Sequence, residues 1–149
     1  MTVINTSPAI HLHAVLPGGL GVLPGVIGEI IVPLEVGQEL AAGNAKDSAW
    51  REIQRLPGIH HRTKAVAIHP LISAQIDLGE AAVIQTALDE ALDAVILDDL
   101  KARRVALTLG LQVTGTDRLR APRSRPVRWH EEALQSAPTF RSATFRCIS

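Results

Sequence analysis

Short apolar runs alternate with longer amphipathic stretches along this chain. Strands are expected at Thr2–Ile4, Glu29–Val32, Ala65–Ile68, Ala94–Leu97 and Gln112–Thr114. Each is only a few residues long and most are rich in Val and Ile, as strands covered on both faces should be. Helical patterns fill the intervals. Pro8–Val15 is a short one, and Pro33–Ala42 begins with Pro at a first helical position. Ala45–Leu56 has Asp47 near its start and Pro57-Gly58 just past its end. Gly79–Leu92 turns Ala82, Val83, Ala87 and Leu88 to one side. Leu100–Leu109 turns Val105, Ala106 and Leu109 inward, with Arg103 and Arg104 on a flank. Strands alternating with helices predict an α/β fold around a short, mainly parallel sheet. There is no internal repeat and no low-complexity run.

Composition narrows this picture. A chain of 149 residues with 46% hydrophobic residues can bury a proper core and is not mainly disordered. Aromatics are 3%, with no Tyr, which argues against stacking platforms for single-stranded nucleic acid. The single Cys147 excludes a disulfide framework or a Cys-rich zinc site and suits a reducing cytoplasm. No Asp, Glu, Lys or Arg occurs from Thr2 to Gly28, yet a basic n-region is lacking. Pro17, Gly18, Gly19, Gly21 and Pro24 also interrupt any spanning helix, so the expectation is a soluble chain with no membrane segment.

Charge divides the molecule. Residues 1–116 hold 12 acidic and 8 basic side chains, whereas residues 117–149 hold 3 acidic side chains and seven Arg. The second segment also carries three Pro, no Lys and no sustained hydrophobic period. A body at 1–116 and an atypical Arg/Pro-rich tail at 117–149 are therefore expected.

In open α/β sheets, ligands bind at the carboxyl ends of the strands, near the point where strand order reverses. Asn5 ends the first strand, and Asp98-Asp99 ends the strand Ala94–Leu97. Glu80 opens a helix in DLGEA, and Glu39 lies in the helix of VPLEVGQEL. Each has a local explanation as well. Asn5-Thr6-Ser7-Pro8 reads as a helix N-cap, and Asp98 or Asp99 could cap the helix that follows. Glu80 would favour a helix dipole, and Glu39 alone reads as a solvated side chain. Taken together, several carboxylates converging on one sheet edge repel one another and call for a cation. Mg²⁺ needs only two or three of them, and such a site serves phosphodiester hydrolysis.

The ordered series INTSPAI, IIVPLEVGQEL, DLGEAAVIQTAL, VILDDLKARRVALTLGL and VTGT resembles the PIN-domain proteins from about Val3 to Thr116. In particular it is similar to their branch found with toxin–antitoxin modules or described as predicted nucleic-acid-binding proteins. The resemblance implies a three-layer α/β/α sandwich and an endoribonuclease dependent on Mg²⁺ or Mn²⁺. Glu39, Glu80 and Asp98 match the family's catalytic carboxylates, with Asp99 a neighbouring metal candidate. Thr6 and Ser7 match the hydroxyl residues that support the first-strand loop. Where the family has Asp-Thr-Ser, this chain has Asn5, which offers a metal an amide oxygen without its charge.

The implied function is a metal-dependent ribonuclease acting on single-stranded RNA, weakened by Asn5, and the toxin of a pair with an antitoxin protein. A homodimer is expected from the resemblance alone. The alternative is a non-catalytic module for nucleic acid or protein on the same fold. Arg103 and Arg104 are candidates for phosphate contact, against a solvated helix face. Gly19-Leu20-Gly21 lacks the third Gly and the preceding strand of a dinucleotide fingerprint. His11 and His13 point to different helix faces, His60-His61 falls in a Pro-Gly loop, and neither pair suggests a metal site. The related sequences continue past the VTGT motif with an Ala/Leu-rich helix. Residues 117–149 therefore read either as a shift of frame near Thr116 or as a basic arm for RNA or a partner. Resequencing the gene separates these two.

Overall fold

The computed structural model describes residues 1–16, 18–42 and 47–120. Strand β1 (Thr2–Ile4) runs through Asn5 into helix α1 (Thr6–Val15). After a 3₁₀ turn (Gly19–Val22) come α2 (Leu23–Ile27), β2 (Ile30–Val32), α3 (Leu34–Ala41) and α4 (Asp47–Ile53). The chain continues through β3 (Ile59–His61), α5 (Pro70–Ser73) and α6 (Leu78–Asp89). It then forms β4 (Ala94–Ile96), α7 (Leu100–Thr108), β5 (Gln112–Thr114) and α8 (Thr116–Arg120).

The five strands form one all-parallel sheet in the order β3-β2-β1-β4-β5. Val3 pairs with both Ile31 and Val95, and Ile4 with Ile96, so β1 lies at the centre. β1 and β2 are buried at every residue, which explains their uninterrupted run of β-branched Thr, Val and Ile. Leu12 of α1, Val36 and Leu40 of α3, Ile84 of α6, and Ala102 and Ala106 of α7 are fully buried with them in one core. The result is the expected α/β/α sandwich. Among the described residues, no single helix is long and apolar enough to cross a membrane.

The third strand is a correction. Ala65–Ile68 is irregular, and β3 instead comprises Ile59–His61, so His60 and His61 lie in a strand and not in a loop. Gly58, at a φ of +80°, turns the chain so that its carbonyl accepts Ile30 N–H at 2.8 Å. Arg62 N–H donates to Val32 at the far end, at 2.9 Å. Edge pairing to β2 chose this segment over the more apolar one. Leu109 is a second correction: it stands 41% exposed beyond the end of α7, while Ala102 and Ala106 face the core. Two short helices, α2 and α5, were not anticipated, although both carry Pro in their first turn. The expected start of the fourth helix at Ala45 lies outside the described residues. Leu119 of α8 is 7% exposed and joins the core, so helix extends past Thr116. The tail from 121 to 149 lies outside the described residues.

Candidate active site at the sheet's switch point

Beyond β1 the chain crosses first to β2 on one side, and only later to β4 on the other. The crevice between the ends of β1 and β4 is therefore the switch point, where two strand ends diverge and leave room for a ligand. Asn5 ends one wall and Asp98 follows the other, with Asn5 N–H donating to Ile96 at 3.2 Å. Asn5 is 5% exposed and occupies the N-cap position of α1. Its side chain makes no capping hydrogen bond, and Oδ1 is buried without a partner. The capping role is filled by backbone alone, leaving an acceptor with nothing to accept.

Thr6, the next residue, donates from Oγ1 to Glu39 Oε2 at 2.6 Å, linking α1 to α3. Glu39 is thus held in the crevice and is not a freely solvated side chain. The first turn of α6 presses against it: a Cβ on Gly79 would lie 2.6 Å from Glu39 Oε1. A larger residue at Gly79 would therefore displace the Glu39 carboxylate from its place beside Thr6. Ser7 is exposed and makes no side-chain hydrogen bond among the described residues.

Asp98 is fixed from the other side of the crevice. Thr116 donates to its Oδ1 from the backbone N–H at 2.9 Å and from Oγ1 at 3.1 Å. Here lies the physical role of the VTGT stretch. Gly115 leaves space for the Arg103 guanidinium, which a Cβ there would approach to 3.2 Å. His11 of α1, largely exposed, places Nδ1 3.2 Å from Asp98 Oδ2. Asp99 is the N-cap of α7: Oδ1 accepts Lys101 N–H at 2.8 Å and Ala102 N–H at 2.9 Å. Arg103 approaches the acidic edge, whereas Arg104 lines a groove with Lys101 and Leu109 on another surface.

Glu80 carries the electrostatic signature of the site. Its carboxyl is held above the ordinary range, first by burial and then by the negative charge of Asp99. Asp77 and Glu39 add smaller repulsions, while the Asp77 backbone N–H opposes the rise. Asp77 is the N-cap residue of α6, three before Glu80, but its side chain makes no capping hydrogen bond, so only the Glu80 half of a capping box is present. The negative charges of Asp99, Asp77 and Glu39 thus reach Glu80 from the first turns of α7 and α6 and from α3.

Among the described residues, no three His, Cys, Asp or Glu side chains form a set able to hold a metal ion by themselves. The described residues thus offer no closed cage of protein ligands. An open site remains, because Mg²⁺ commonly takes one or two carboxylates and keeps its waters. The unpartnered Asn5 Oδ1 and the mutual repulsion around Glu80 fit a hydrated cation of that kind.

Sequence reasoning did not single out His11 or Thr116 as contacts of Asp98, nor Asp77 as a neighbour of Glu80. The spacing Asp77-x-x-Glu80 was available as a capping signal. The contacts of Asp98 join residues 87 and 18 positions apart and leave no local trace.

The fold is a parallel α/β/α sandwich with acidic side chains near its switch point. A family model for the PIN domain matches residues 1–119, and the chain belongs to that family, the fold of PIN-type nucleases. PIN domains are generally dependent on divalent metal ions. No curated protein matches the sequence.

Proposed function

We propose that the protein is an endoribonuclease that cleaves single-stranded RNA with Mg²⁺ or Mn²⁺. The observation that carries this reading is the buried, unpartnered Asn5 Oδ1 at the switch point, next to Thr6, which holds Glu39. A divalent ion, when bound, supplies positive charge to the scissile phosphate and makes water a better nucleophile. The chain's own residues do the positioning. Thr6 orients Glu39, Thr116 orients Asp98, and Arg103 offers a phosphate a planar pair of donors. Asp99 flanks the site and holds α7 in register with it.

The test combines cleavage with melting. Labelled single-stranded RNA should be cut in Mn²⁺ and spared in chelator, and Glu80→Gln or Asp98→Asn should abolish cutting. Millimolar Mn²⁺ should raise the melting temperature of the parent and not of those variants. A melting curve indifferent to both ions sinks the metal reading.

Two observations favour a second reading, a binding module without catalysis: Asn5 lacks the family's charge, and the described residues contain no three-ligand set. RNA bound but uncut in Mn²⁺ would decide for it. Toxin function, an antitoxin partner and a homodimer rest on the resemblance. A small adjacent antitoxin-like gene whose product blocks cleavage, and a dimeric mass in solution, are the observations that would support them.

A further inference from the structure

Along α7 and just past its end, Lys101, Arg104, Val105, Thr108 and Leu109 fall at helical spacing in one stripe. The stripe forms one side of a groove whose other side is built by Leu71 and Ile72 of α5 and Leu88 of α6. The groove holds about 610 Å³, within the range of small-ligand sites. Leu71 is 70% exposed and Leu109 41%, so its apolar surface stands open to solvent. Lys101 and Arg104 lie toward the start of the stripe and Leu109 at its end.

The uncharged polar side chains of the lining are engaged locally. His69 Nδ1 accepts Leu71 N–H at 3.2 Å, and Gln75 Nε2 donates to the Leu71 carbonyl at 2.6 Å. Gln85 accepts His69 N–H at 3.0 Å and donates to Asp89 at 2.8 Å, while Thr108 Oγ1 donates to the Arg104 carbonyl at 2.9 Å. The two cations differ. Both are exposed, and neither side chain makes a hydrogen bond or ion pair among the described residues. No Asp or Glu lines the groove, although residues 1–116 carry 12 acidic against 8 basic side chains. A ligand entering here meets an apolar trough with free donors at one end. A polar ligand such as a nucleobase would give up hydration along the trough without replacing it. An apolar stem that ends in an anion gains from both parts.

We propose that this groove binds a free medium-chain alkyl carboxylate, with the carboxylate at Lys101 and Arg104 and the chain along Val105, Leu88 and Leu109. At the helical rise per residue, Lys101 and Leu109 stand about 12 Å apart along the axis, the reach of an extended chain of about ten carbons. The site is separate from the metal crevice, toward which α7 turns Arg103 instead, beside Gly115. It requires neither metal nor RNA.

Calorimetric titration of the full chain in chelator at neutral pH tests this, using decanoate below its micellar concentration, with 1-decanol and butyrate as controls. Decanoate should saturate a single site per chain. Decanol, which lacks the charge, and butyrate, which lacks the chain, should each bind about tenfold more weakly or less. The double variant Lys101→Gln with Arg104→Gln should melt as the parent does, lose about tenfold or more in affinity for decanoate, and bind decanol unchanged. Leu109→Asp should weaken both decanoate and decanol. Absence of saturable decanoate binding, decanol binding as tightly as decanoate, or equal decanoate affinity in the double variant would overturn the proposal. A parent indifferent to decanoate that forms a dimer dissociated by Leu109→Asp would overturn it too, and assign the groove to a second copy of the chain.

Discussion

Asn5 shows how much one oxygen can decide. Its backbone caps α1 through Asn5 O, which accepts Ala9 N–H at 3.2 Å, while its side-chain oxygen has no partner. Replacing it with Asp would bury a charge beside other carboxylates. In chelator, Asn5→Asp should lose about 1–3 kcal/mol of stability in urea melts. It should gain more than the parent from Mn²⁺ and cut RNA faster. Identical melting with and without Mn²⁺ would remove Asn5 from any metal role. Glu80 gives a pH test in the absence of metal. Its folded carboxyl holds a proton more tightly than the unfolded chain does, mainly through burial and secondly through Asp99. The stability it contributes is therefore full below the unfolded Glu value of about 4.3 and is lost as pH rises through the folded value. Glu80→Gln should accordingly be more stable than the parent at neutral pH, with the gap closing toward about pH 4. A gap that widens on acidification contradicts this assignment.

At the scale of elements, each end of a helix is an assignable interaction. Asp99 satisfies two N–H groups at the start of α7. Asp99→Ala should cost about 1 kcal/mol in denaturant melts, and Asp99→Asn close to nothing, since both residues cap. If Asp99 also meets the metal, Asp99→Asn will keep its stability in chelator and lose part of the Mn²⁺ effect. An unchanged Mn²⁺ effect leaves it a cap alone. The helices α3 and α7 were legible because each repeats an apolar face, α1 and α6 because each is a mostly apolar run longer than a strand, and local signals such as Pro33 mark a start. β3 was not legible. Three half-buried residues at a sheet edge carry no period, and only the partner strand β2 selects them.

For the whole molecule, the central pair β1 and β4 should dominate stability. Ile96 is 1% exposed and pairs with Ile4, two residues before Asp98. Ile96→Ala should cost about 2–5 kcal/mol, a large part of the ~5–15 kcal/mol typical of a domain. Thermal and urea denaturation measure this directly. A cost below about 1 kcal/mol would mean that the centre of the sheet relaxes around the gap.

The sequence by itself determined the alternation of strands and helices, the covered character of β1 and β2, and the acids available to the crevice. Those properties are written in neighbouring residues, through side-chain period, capping and turn chemistry. The tertiary structure alone decided which acids meet. It joined Thr6 to Glu39 across 33 positions and Thr116 to Asp98 across 18. It also buried Glu35, one turn from Glu39 on the same helix, and left one of its oxygens unpaired. A sequence fixes which groups a helix carries, but what each group touches depends on the helix packed beside it.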